Sequence, residues 1–377
     1  MAHHLRGGGE AVLESVLSST ESFTVPWSRG ELLAQRELFD LHCSGVVAGD
    51  QIALLVPNGP CAALCLVATM RQYCVTPLNP SAPAENVAAS LTRLRARCIV
   101  SPASEKVTFA SQQACIPHVV LHRVDGHPGA FDLAAPHLSL STCFEDVAVA
   151  SSDRVLVLQT SGTTSEPKLV PFSLQRLMDS GRALAESIQL NADDVGLNTM
   201  PLHHVGGIAC NLIAPIVAGS RMVYAAWSDA SAWYAFIEDT EPAVTWCYAA
   251  PAIWSVVTAH GEATDSIAPH TMRLLRSGAA PLPHAEATRL AALFGEKTCV
   301  LPTYSMTVRT CMLSNAAPSA QSSTWLLLVR ARRSACPSRP HHSATDLIVL
   351  PVSVYPWTDS TSRSLTQRAG CKWPIVI

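Results

Sequence analysis

Ten consecutive residues carry the densest chemistry in the chain: Gln159-Thr160-Ser161-Gly162-Thr163-Thr164-Ser165-Glu166-Pro167-Lys168. Five hydroxyl side chains surround one glycine, and a lysine closes the run. Hydroxyls and backbone N–H groups wrapped around an anion, with an ammonium beside them, suit a polyphosphate. The plainer reading is that a Ser/Thr/Gly run between strands is a loop and no more. The generic G-x-x-x-x-G-K-S/T phosphate loop is not met, because Pro167 stands at its second glycine and Leu169 at its metal-binding hydroxyl. Pro167 also removes a backbone donor. A hydrolase role for Ser161 fails as well, since no G-x-S-x-G surrounds it.

The surrounding pattern says what must position this run. Val155-Leu156-Val157-Leu158 before it predicts a buried strand, and a helix is expected from Ser173 to Ile188. Strands are predicted at 52–56, 74–78, 98–100, 119–121, 222–224, 244–247, 273–276 and 298–301. Helices are predicted at 28–43, 61–71, 84–96, 208–217, 230–239, 251–259 and 283–293. Short strands alternating with helices imply an α/β fold with mostly parallel sheets covered by helices. Such sheets bind ligands at the carboxyl ends of their strands. Four polar or Gly-rich segments fall there: 159–168, 201–207, 277–281 and 303–307. Four loops on one edge could build one nucleotide and substrate cleft.

Bulk properties narrow the partners. The chain has 377 residues, 48% hydrophobic and 15% charged, which favours large cores over a solvated chain. A net charge of −3 gives no reason to expect nucleic acid. Thirteen cysteines without a C-x-x-C pair or zinc spacing suggest free thiols in a reducing compartment, and cytoplasmic placement is the expectation. Cys61 and Cys65, Trp246 and Trp254 read as core. The longest apolar stretch, 205–219, contains Asn211 and Pro215 and is too short to span a bilayer. No secretory leader and no peroxisomal address is read at the ends.

The loops together resemble the adenylate-forming enzymes: acyl-CoA synthetases, adenylation domains of peptide synthetases and luciferases. The run at 160–168 reads T-S-G-T-T-S-E-P-K against the family's T-S-G-S/T-T-G-x-P-K, with Ser165 at the last glycine. Pro201-Leu202-His203-His204-Val205-Gly206-Gly207 is similar to its P-L-F/Y/H-H-x-x-G segment, and Ser277-Gly278-Ala279-Ala280-Pro281-Leu282 to its adenine segment. Tyr304-Ser305-Met306-Thr307 resembles the start of its Y-G-x-T-E motif. Val56-Pro57-Asn58-Gly59 and Pro77-Leu78-Asn79-Pro80 also look like family segments, so the resemblance covers about residues 30–307. It implies two sheet subdomains, a β-barrel and a C-terminal lid. It also implies ATP, Mg²⁺ and coenzyme A acting on a small carboxylic acid, which becomes an acyl-adenylate and then a thioester.

The resemblance assigns roles. Thr160, Ser161, Thr163, Thr164 and Lys168 would grip the β- and γ-phosphates, with Gly162 allowing close backbone approach. Gly278, Ala279 and Ala280 would form a wall against adenine. Tyr304 would stack on the base, and Thr307 would bond an α-phosphate oxygen. His204, Val205 and Gly206 would border the acyl carboxylate and its pocket. Taken alone, a ring of His203-His204 is more readily a hydrogen-bonded core histidine than a site residue, and the resemblance speaks only for His204.

The pattern then stops. Val308 stands where the family's Mg²⁺-binding glutamate belongs, and a valine cannot ligate a hard cation. No T-G-D aspartate for the ribose, hinge or late lid lysine is found. The last seventy residues balance to +6, against −9 for residues 1–307. The expectation is therefore a partial large domain at 1–307 with an incomplete barrel and no lid. A basic Ser/Arg/Pro-rich tail at 308–377, poorly packed apart from a stray strand near 347–350, would follow. That tail reads as a frame change or retained non-coding segment, or else a spliced variant. Three functions stay open: an acid–CoA ligase of low activity, a module loading a carrier protein, and an inactive nucleotide-binding remnant.

Overall fold

A computed structural model of the chain describes residues 12–16, 22–26, 46–123, 131–134, 153–160, 167–224, 229–239, 242–264, 271–307, 309–314, 325–329 and 348–352. Two sheets organise them. The first, in spatial order, joins β7 (Phe131–Ala134), β6 (His118–Arg123), β5 (Cys98–Ser101), β3 (Gln51–Leu54), β4 (Cys74–Pro77), β8 (Arg154–Gln159) and β9 (Leu169–Ser173). The second joins β15 (Arg309–Ser314), β14 (Cys299–Met306), β13 (Leu274–Ser277), β12 (Trp246–Ala249), β10 (Val195–Asn198), β11 (Arg221–Tyr224), β1 (Val12–Val16) and β2 (Ser22–Pro26). Both are parallel inside and antiparallel at each outer edge. A separate hairpin pairs β16 (Trp325–Val329) with β17 (Ile348–Val352). Among the described residues no barrel closes.

Burial explains the parallel centre. Every residue of β4, β5, β10, β12 and β13 is buried, as strands covered on both faces must be. The largest core lies between the sheets. It is filled by the helices Pro60–Thr69 and Leu174–Ser187 and by the segment 205–218. Trp233, Trp254 and Phe294 anchor a second core on the outer face of the second sheet, where rings meet edge to face. The helices Ala84–Leu94 and Glu105–Ala114 cover the outer face of the first sheet. The result is three helical layers separated by two sheets.

Local chemistry sets the helix ends. Ser173 Oγ accepts the Arg176 N–H at 3.3 Å and caps the helix Leu174–Ser187. Proline opens Pro60–Thr69, where a missing N–H costs nothing. The predicted helix 208–217 instead begins at Val205 and passes through a π-helical turn at Ala209–Ile213. The predicted strand 244–247 sits two residues later, because Thr245 Oγ1 turns aside to donate to Asp194 at 2.8 Å. The helix expected at 28–43 lies outside the described residues.

Candidate functional site

The polar run at 159–168 falls in sequence between β8 and β9, which pair antiparallel as far as Gln159 and Leu169. Its base is fastened twice. Thr160 N–H donates to the Lys168 carbonyl at 3.0 Å, and Lys168 N–H donates to Thr160 Oγ1 at 2.9 Å. Thr160 is half-buried and Lys168 exposed. Ser161, Gly162, Thr163 and Thr164 lie outside the described residues. The stem is held from the side by the helix Ala84–Leu94, through Ser90 Oγ to Gln159 Oε1 at 3.3 Å and Arg93 to the Pro167 carbonyl at 3.4 Å.

Strands β3, β4 and β8 run parallel, so the loops after them leave the first sheet on one edge. Strands β10, β12, β13 and β14 do the same in the second sheet. Asn58, just after β3, joins the two edges. Its carboxamide oxygen accepts the Leu202 N–H at 3.1 Å, and its nitrogen donates to the Met200 carbonyl at 3.4 Å. One side chain from the first sheet thus fixes the loop that carries His203 and His204. A small apolar cavity lined by Leu54, Val56, Leu66, Leu78, Leu202 and His203 lies beside the clamp.

The His203 and His204 rings touch with centroids 4.3 Å apart and planes tilted by 47°. Burial, and after it the neighbouring His204 ring, push the His203 pKa down to about 4. His204 is more open to solvent, yet the protein around it also lowers its pKa. Both rings are neutral near pH 7, able to donate or accept one hydrogen bond each. His203 titrates lower folded than unfolded, where the value is 6.5. Its contribution to stability is therefore whole above pH 6.5 and lost as pH falls toward 4. That loss is at most on the order of 3 kcal/mol. Unfolding midpoints at the two ends of this window should converge partly in His203→Gln; equal acid sensitivity in both proteins would contradict the assignment.

His204 precedes the first turn of helix, and Gly206 and Gly207 follow inside it. Val205 is half-buried and Gly206 buried. Asn198 Oδ1 accepts from Asn211 of the π-helical turn at 2.7 Å and from the Met200 N–H at 3.2 Å, tying this segment to β10. A π-helical turn is a frequent mark of a functional site.

Gly278 follows β13 and is buried, while Ala279 and Ala280 are exposed. A methyl group on Gly278 would lie 2.4 Å from Tyr248 Oη and 2.9 Å from Thr303 Oγ1, so only glycine fits. A methyl group on Gly206 would meet the same Tyr248 ring at 3.2 Å. Tyr248 therefore brings the 201–207 and 277–281 segments together. Thr303 Oγ1 donates to the Ser277 carbonyl at 2.9 Å and holds β14 against them. Tyr304 lies on β14, its side chain outside the described atoms; Thr307 is half-buried in the β14–β15 turn. Neither the Asn58 clamp nor the place of Tyr248 was legible from motif spacing, because both depend on contacts between distant strands.

Ala279 adopts φ 71°, in the left-handed region. For an L-residue with Cβ this costs about 1 kcal/mol or more. Ala279→Gly should raise stability by about 0.5 kcal/mol, since the more flexible unfolded chain offsets part of the relief. Urea titration checks this, and a loss of stability would show that the exposed methyl makes a contact that matters.

Comparison with known proteins adds the lineage. The profile of the family described as "AMP-binding enzyme" matches residues 40–327. An acyl-CoA synthetase of Gibberella moniliformis is 25% identical over 352 residues, covering 89% of this chain and 61% of its own length. A probable CoA ligase of Humulus lupulus is 30% identical over 286 residues, covering 74% and 54%. The chain thus spans little more than half the length of these relatives. Among solved structures, an acyl-CoA synthetase of Brucella canis superposes with a TM-score of 0.70 at 20% identity, covering 83% of this chain and 58% of that one.

Proposed function

Because this chain belongs to the family of AMP-binding enzymes, we propose that its site is built to activate a carboxylic acid with ATP and pass the acyl group to coenzyme A. The observation that supports this best is the convergence at Asn58 of two sheet edges carrying the four loops in family order. In the first step a carboxylate oxygen would attack the α-phosphorus and the bond to pyrophosphate would break. In the second, a thiolate would attack the acyl carbonyl and AMP would leave.

The residues present would contribute mainly position and charge. Thr160, Ser161, Thr163, Thr164 and Lys168 would hold the β- and γ-phosphates, with Gly162 letting the backbone come close. Gly278, Ala279 and Ala280 would flank adenine, Tyr304 would stack on it, and Thr307 would donate to the α-phosphate. His204, neutral near pH 7, would face the carboxylate without adding a charge that traps it in the ground state. Val205 and Gly206 would border the acyl group. The unpaired cysteines fit a reducing compartment, and the cytoplasm is part of this proposal; among the described residues no helix is long and apolar enough to cross a membrane.

Magnesium does not fit the residues in hand. The residue after Thr307 is Val308, whose side chain has no oxygen to offer. Among the described residues no three His, Cys, Asp or Glu side chains gather as ligands.

That missing carboxylate favours a second reading, a remnant that binds nucleotide and catalyses slowly or not at all. ATP–pyrophosphate exchange over a panel of carboxylic acids separates the readings. Slow acid-dependent exchange with acyl transfer to coenzyme A supports the ligase. Exchange without transfer to coenzyme A points to a carrier-loading module. No exchange with any acid leaves the remnant.

A further inference from the structure

The peptide group that joins Pro167 to Lys168 is held at both ends. Its N–H donates to Thr160 Oγ1 at 2.9 Å, and its carbonyl accepts from the Arg93 guanidinium at 3.4 Å. Proline has no N–H, so this carbonyl is the one backbone group through which Pro167 can be held. The next peptide is held as well, by the Thr160 N–H on the Lys168 carbonyl at 3.0 Å. Two planar groups are thus fixed on either side of the Lys168 Cα, and with them the point from which its side chain departs. Arg93 comes from far off, on the helix Ala84–Leu94. That helix buries Val87, Ala88, Leu91 and Leu94 in the same core as Val157 of β8. Gln159, two residues beyond Val157, turns to the same face of the sheet. Ser90, three residues before Arg93 and on the same side of the helix, donates to Gln159 Oε1 at 3.3 Å. One helix face therefore grips the chain just before Thr160 and again just before Lys168. Among the described residues β9 is the last strand of its sheet and pairs with β8 alone. The helix supplies the lateral support that a further strand would give.

We infer that Arg93, helped by Ser90, is a positioning residue for the phosphate end of the site: it acts through Lys168, by fixing the backbone that carries the ammonium. The inference rests on the acid-activation reading above, in which Lys168 holds the β- and γ-phosphates of ATP. Lys168 is exposed and Arg93 half-buried. An exposed lysine on a loose backbone must be ordered when its ligand arrives, and a backbone held beforehand lowers that cost. Only a ligand that carries those phosphates gains by it. AMP, which lacks them, does not.

The test measures ATP and AMP binding to the full chain by calorimetry. The proteins are the natural chain, Arg93→Met, Arg93→Lys, Lys168→Ala and the double variant Arg93→Met with Lys168→Ala, with folding verified by circular dichroism. Arg93→Met keeps the apolar stem and removes the donor. It should weaken ATP about fivefold, the worth of one hydrogen bond, and leave AMP unchanged. Arg93→Lys, which keeps an N–H donor, should stay within about twofold of the natural chain. Where Lys168 is already alanine, Arg93→Met should cost ATP nothing further, as expected of two residues that act as one unit. Should Arg93→Met fail to fold, Ser90→Ala takes its place in the same cycle, with a loss of about twofold. An ATP affinity indifferent to these changes, while Lys168→Ala still weakens it, overturns the inference and leaves the activation reading standing. So does an equal loss for ATP and AMP, or an equal loss with and without Lys168. Absence of saturable ATP binding by the natural chain overturns the activation reading, and the inference with it.

Discussion

Arg273→Ala is expected to lower the unfolding free energy by about 3 kcal/mol. The side chain is not decorative. Its Nε and Nη2 make a fork to Asp194 at 2.6 and 2.7 Å, and Nη1 donates to the Ile188 carbonyl at 3.0 Å. Thr245 Oγ1 donates to the same carboxylate at 2.8 Å. Asp194 precedes β10, Thr245 precedes β12 and Arg273 precedes β13, so one ionic knot ties the amino ends of three neighbouring parallel strands. Asp194 has only 4% of its side chain exposed. Removing Arg273 would strand that charge, which is why the loss exceeds that of a surface pair. Burial alone would raise the Asp194 carboxyl; the Arg273 fork, Thr245 and the Asn191 N–H outweigh it and hold it below the usual 3.8. The contribution is thus present above pH 3.8 and fades as pH falls through the lower folded value. Denaturant midpoints at neutral pH measure the effect. Asp194→Asn combined with Arg273→Met should recover part of the loss, and an exposed-pair value below about 1 kcal/mol for Arg273→Ala would refute the knot.

Gly207→Ala should cost about 3 kcal/mol and damage the site as well. The added methyl would lie 2.2 Å from the Pro201 carbonyl oxygen and 2.8 Å from its carbon. Both are backbone atoms, and the Asn58 clamp fixes the residues on either side, Met200 and Leu202. The strain must then move the loop bearing His203 and His204 away from the helix start. Stability by urea titration and binding of an acyl-adenylate mimic should fall together. A variant of normal stability with normal binding would mean that the loop has slack which this packing does not show.

Much of the fold was legible because its strands are buried on both faces. Runs such as Cys98-Ile99-Val100 and Val155-Leu156-Val157-Leu158 have no other economical fate than a covered parallel sheet. The helix Glu105–Ala114 was not read, since only Val107, Ala110 and Ser111 turn inward and the apolar repeat is faint. Strand β9 escaped for a related reason: Leu169 and Pro171 face outward at a sheet edge. The site was legible as four loops on one edge, but the contacts that join them were not. Glycine at 206 and at 278 looks like motif vocabulary until Tyr248, from a third strand, shows what each must leave room for. The left-handed Ala279 carries no local signal at all. The change of composition after Thr307 coincides neither with the end of the family match, at residue 327, nor with the end of the second sheet, which still takes in β15.

In the proposed site the converging loops hold the nucleotide, with Lys168 at its phosphate end. Equilibrium binding of ATP to the full chain, beside Lys168→Ala, tests it most directly. The predicted result is one saturable site, weakened about tenfold or more in the variant by loss of a charge-assisted contact. Absence of saturable binding, or binding indifferent to Lys168→Ala, would contradict it.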